Sequence, residues 1–92
     1  MLTAIVMLNI TPAKITTVGK KVAAIDGVAE VYSTTGGAGL IAIVRVSSHD
    51  EIAKVISDQI AKVEGVEKLI THLAFRTYSR EDLDAAFDIG LD

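Results

Sequence analysis

The feature that most restricts what this chain can fold into is a repeat. Ala4-Ile5-Val6-Met7-Leu8 returns as Ala42-Ile43-Val44-Arg45-Val46, and Asp26-Gly27-Val28 returns as Glu64-Gly65-Val66. Both pairs of anchors lie 38 residues apart, as do Val18, Val22 and Ile25 from Ile56, Ile60 and Val63. Two units of one length therefore follow each other. Each reads apolar strand, amphipathic helix, acidic residue-Gly-Val, strand. Two strand-helix-strand units in tandem specify a split βαβ arrangement. The expected fold class is α+β: a ferredoxin-like βαββαβ sandwich with a four-stranded antiparallel sheet and two helices on one face.

The elements follow from period and punctuation. Strands are expected near residues 3–10, 29–35, 40–46 and 68–78. The first helix is expected over about 13–25, with Ile15, Val18, Val22 and Ile25 on one side at helical spacing. The second is expected over about 50–63, with Ile52, Val55, Ile56, Ile60 and Val63 inward. Ser48, three residues before Glu51, has the spacing of a capping box. Gly27 marks the first helix stop. Residues 80–92 form a separate tail. Ser79-Arg80-Glu81-Asp82 resembles a helix start, and Leu83, Ala86 and Phe87 would share one side of a short C-terminal helix.

Strand alternation then poses a problem. Ala4, Val6 and Leu8 share one face of strand 1, and Ile5, Met7 and Asn9 share the other. In strand 3, Ala42, Val44 and Val46 oppose Ile41, Ile43 and Arg45. Two helices cover one face only, so the other keeps an aliphatic cluster. Each large aliphatic left wet forgoes roughly 1.5–3 kcal/mol, and monomers rarely carry such a patch. A second copy of the chain is the simplest cover; the tail helix is the competing one. The residues assigned to a homodimer interface are Ile5, Met7, Tyr32, Ile41, Ile43, Arg45 and Phe75, with Arg45 paired to a carboxylate such as Glu30.

Composition narrows the function classes. The net charge of −3 and pI near 5.2 argue against a nucleic-acid binder, which shows a basic stripe. There is no cysteine, so disulfide frameworks and thiolate metal sites are out, and His49 and His72 lack metal-ligand spacing. No metal and no cofactor are expected. The first residues lack the basic run of a signal peptide, and no apolar stretch reaches the roughly 18–20 residues of a membrane span. A cytoplasmic protein is the default expectation.

The stretch Thr34-Thr35-Gly36-Gly37-Ala38-Gly39-Leu40 joins strands 2 and 3. Three glycines exceed what a hairpin requires. They do not form a dinucleotide fingerprint, because no helix follows. Backbone N–H groups in such a turn can hold an anion. Thr71 and the mid-strand His72, a residue type that can contact a ligand, complete the candidate ligand site.

The order Gly27-Val28-Ala29-Glu30-Val31-Tyr32, Thr35-Gly36, Leu40, Gly65-Val66 and Phe75-Arg76-Thr77-Tyr78 resembles the effector-binding (RAM) domain of the Lrp/AsnC, or feast/famine, transcription regulators. The resemblance covers residues 2–79, within an expected domain of residues 1–79. It implies a dimer packed sheet to sheet, a ring of dimers, and a small effector, commonly an amino acid, bound near the loop between strands 2 and 3. It also implies a partner in a full-length regulator of the family. Where that loop typically reads Gly-Asp-aromatic-Asp-Leu, this chain has Gly36-Gly37-Ala38-Gly39-Leu40, which removes both carboxylates. Strand 1 starts by residue 3, leaving no room before it for the family's DNA-binding helix-turn-helix, so direct DNA binding is not expected.

Three functions fit these readings. The first is a non-catalytic effector-binding and oligomerisation module. The second is a structural or assembly subunit without a ligand. The third is a small monooxygenase on a dimeric ferredoxin-like scaffold, for which the polar inventory is thin, with no evident acid-base pair.

Overall fold

The computed structural model describes residues 1–37, 39–78 and 80. Four strands and two helices follow the repeat: β1 (Leu2–Ile10), α1 (Ile15–Ala23), β2 (Val28–Ser33), β3 (Leu40–Val46), α2 (His49–Ser57) and β4 (Val66–Ala74). The sheet order is β2-β3-β1-β4 with every neighbouring pair antiparallel. This is the ferredoxin-like α+β sandwich that the tandem units require.

The helices lie on the face of Ala4, Val6, Leu8, Ala42 and Val44, all fully buried. Val18 and Val22 of α1 and Val55 and Ile56 of α2 fill the layer between. Each buried Val, Leu or Ile removes enough apolar surface from water to contribute roughly 1.5–3 kcal/mol. No polar side chain is buried among the described residues.

The repeat is visible in the packing. Gly27 and Gly65 have φ of +98° and +104°, the left-handed region where a side chain is strained. A Cβ on Gly27 would stand 2.8 Å from Val55 in the second unit, and one on Gly65 would stand 2.8 Å from Val18 in the first. Each unit's glycine thus seats the other unit's helix.

Ser48 caps α2 by accepting from the Glu51 N–H at 3.3 Å. The reciprocal bond of a capping box lands one residue early: Glu51 accepts from the Ser47 N–H at 3.0 Å.

Several boundaries differ from the sequence expectations. Pro12–Lys14 forms a 3-10 turn, and α1 begins at Ile15. At the other end Ile25 donates its N–H to Val22 O, closing a tighter turn before Gly27. α2 stops at Ser57, and Ile60–Lys62 forms a separate 3-10 turn. Gln59, at φ −123° and ψ −62°, breaks the helix and the chain turns to bury Ile60 completely. β4 ends at Ala74, not Tyr78: Thr3–Ala74 is the last β1–β4 pair, and Phe75 lies beyond the strand. The expected tail helix lies outside the described residues.

Candidate functional site

The face without helices is built by register. Tyr32, Ile41, Met7 and Ile70 form one row across all four strands. Glu30, Ile43, Ile5 and His72 form the next, and Arg45, Thr3 and Ala74 a third. Six of the seven residues assigned to an interface therefore share this face. Phe75 does not belong to it: it follows the end of β4 and is 99% exposed. Tyr32 and Ile70 are 50% and 45% exposed, and Ile5, Met7, Ile41 and Ile43 are half-buried.

The β2 side of the face carries an ion pair. Arg45 pairs with Glu30 at 3.4 Å, and the Tyr32 hydroxyl donates to the other Glu30 oxygen at 2.7 Å. The hydrogen bond to the Glu30 carboxylate, and then its charge, raise the Tyr32 pKa above the ordinary phenol value. The Arg45–Glu30 pairing read from the sequence is present within a single chain.

At one end of the face lies an open groove of about 510 Å³. Its floor is Met7, Ile41 and Ile70. One wall is the β2–β3 loop with Thr34, Thr35, Gly36 and Gly37, and the other is Asn9 and Lys68. Volume and mixed lining match small-molecule sites, which span about 300–1,000 Å³ and set a few polar groups among apolar ones. A Cβ placed on Gly36 or Gly37 would meet nothing within 4 Å, so the loop leaves open space where side chains would stand. Gly36 adopts φ +96°, a geometry the loop needs glycine for.

The remaining candidates go elsewhere. Leu40 is 3% exposed in the core. The Gly39 N–H is spent on Leu8 O at 3.0 Å. Ala38 lies outside the described residues. Thr71 pairs with Val6 and so projects from the helix side of the sheet. His72 is on the open face beside Ile5 but outside the groove lining. Thr71 and His72, adjacent in the chain, cannot serve one site on one face. The sequence reading missed Asn9, Lys68 and Ile70 as groove residues. The only signal for them is the pairing of Asn9 with Lys68 and of Met7 with Ile70 across β1 and β4, which one chain's pattern does not disclose.

A family model described as the Lrp/AsnC ligand binding domain matches residues 3–83. The uncharacterized HTH-type transcriptional regulator PH1916 of Pyrococcus horikoshii is 33% identical over 64 residues, covering 70% of this chain and 43% of that protein. The chain thus spans less than half the length of the curated relatives it matches. Among solved structures, TTHA0845 from Thermus thermophilus superposes with a TM-score of 0.82 at 40% identity, covering 87% of this chain and all of that one. The Neisseria meningitidis transcriptional regulator NMB0573, solved as a complex with L-Met, shares the fold with a TM-score of 0.76 at 14% identity, over 86% of this chain and 53% of that one. No helix among the described residues is long and apolar enough to cross a membrane.

Proposed function

This chain belongs to the Lrp/AsnC ligand-binding domain family of transcriptional regulators, and from that premise we propose that it is a non-catalytic effector-binding and assembly module. Two copies pack their open sheet faces together, dimers associate further into a ring, and a small molecule of the amino-acid class binds in the groove at the β2–β3 loop. Binding would be read out by a partner regulator of the same family.

The carrying observation is the conjunction of the apolar face and the groove. Ile5, Met7, Ile41, Ile43 and Ile70 form one continuous aliphatic surface, and the groove opens at its rim with Met7, Ile41 and Ile70 as a common floor. Assembly and ligand binding thus share side chains, which lets one bias the other. That the N. meningitidis neighbour was solved with L-Met supports the amino-acid class.

Sedimentation of the pure protein together with a thermal-shift screen of the proteinogenic amino acids and their 2-oxo acids tests this. A concentration-dependent dimer or larger species, and a raised melting temperature with at least one compound, are expected. A monomer at every concentration refutes the assembly reading. Assembly without any ligand response leaves the structural-subunit function in its place.

A further inference from the structure

The chemistry of the groove narrows its ligand. Among its described lining residues the ionisable side chain is Lys68, and none is acidic. Lys68 has no ion-pair partner among the described residues; the adjacent Glu67 accepts instead from the Thr11 hydroxyl at 3.1 Å. Asn9, paired with Lys68 across the strands, adds a neutral amide. The glycine loop opposite leaves open space at Gly36 and Gly37.

A carboxylate finds here one ammonium and neutral donors, the set that makes charge-assisted hydrogen bonds. An α-ammonium finds no anionic acceptor and one like charge. Between the polar walls the floor of Met7, Ile41 and Ile70 takes an aliphatic chain.

We infer that the groove selects an aliphatic monocarboxylate lacking an ammonium group, a 2-oxo acid, over the amino acid of the same side chain. The inference rests on the effector-binding reading above and replaces its amino acid by the amine-free acid of the same side chain. Lys68 holds the carboxylate, the sheet floor holds the chain, and no anionic group among the described lining residues stands ready for an amine. The domain would then respond to the deaminated form, the product of a transamination or oxidative deamination, not to the amino acid that enters it.

Calorimetric titration of the intact protein with two matched pairs tests this: L-leucine against 4-methyl-2-oxopentanoate, and L-methionine against 4-methylthio-2-oxobutanoate. At least one 2-oxo acid is expected to bind tighter than its amino acid by about tenfold or more, the scale of one charge-assisted contact. Lys68→Gln, at an exposed position, should weaken that 2-oxo acid by a similar factor. Gly37→Asp, where a side chain meets open space, should reverse the preference toward the amino acid. Equal or tighter binding of the amino acids to the wild type overturns the inference while leaving effector binding intact, as does a Lys68→Gln variant with unchanged 2-oxo acid affinity. No heat with any of the four compounds overturns the inference; effector binding itself falls only when the full thermal-shift screen also gives no response.

Discussion

Replacing Ile5 by Glu probes the open face at its centre. Ile5 stands between Ile43 on β3 and His72 on β4, and it is half-buried in the isolated chain. The substituted carboxylate can reach water there, so the fold of one chain is not broken. In a two-fold dimer the loss counts twice, since the same residue lies on both sides. Less than about a third of an isoleucine's 1.5–3 kcal/mol of burial remains to be gained on association, roughly 0.5 kcal/mol per copy. Desolvating a carboxylate against an aliphatic surface adds a further cost of about 1–2 kcal/mol per copy, a low figure for a charge because the ion keeps partial access to water. The total is roughly 3–5 kcal/mol, or about two to four decades in the dimer dissociation constant. Sedimentation equilibrium reads that shift, with far-UV circular dichroism confirming the fold. Thr71→Glu is the matched control: it adds the same charge at an exposed site of the opposite face and should leave association unchanged. An Ile5→Glu variant that assembles like the wild type, or a control that dissociates equally, refutes the sheet-to-sheet interface.

Two further outcomes follow from local geometry. Gly65→Ala puts a Cβ 2.8 Å from Val18 at a φ of +104°, so left-handed strain and overpacking should together cost about 2–4 kcal/mol. Gly19→Ala in α1 meets Leu40 at an ordinary 3.7 Å and should gain about 0.5–1 kcal/mol; denaturant melts compare the two. Tyr32 should titrate above the ordinary phenol range in a spectrophotometric or NMR pH series, and Glu30→Gln should bring it down, because the hydrogen bond to the Glu30 carboxylate is the first cause of its raised pKa. The raised pKa means that the contact favours the folded state at neutral pH and is lost as pH rises through the folded phenol value.

How much of this was legible in the chain depends on whether the signal was local. The 38-residue repeat exposed the architecture because both units obey one pattern, and alternation in β1 and β3 sorted Ile5, Met7, Ile41 and Ile43 onto the open face without reference to any partner strand. Helix ends were less legible. Ile52, Val55, Ile56, Ile60 and Val63 keep helical spacing straight through the break at Gln59, so periodicity cannot register that Ile60 is buried from a different turn. The groove was half legible: Thr34–Gly37 announce a loop by composition, but the opposite wall depends on Asn9 meeting Lys68. Those two residues lie far apart in sequence and meet only through the β1–β4 register, which the buried faces fix and a bulge at Asn9/Ile10 terminates. The same register separates Thr71 from His72 and assigns Phe75 to neither face. A loop can therefore be recognised from its glycines alone, whereas the charge of the site it borders is set by the strand pairing across from it. That is why the ligand class is better argued from Lys68 than from the loop.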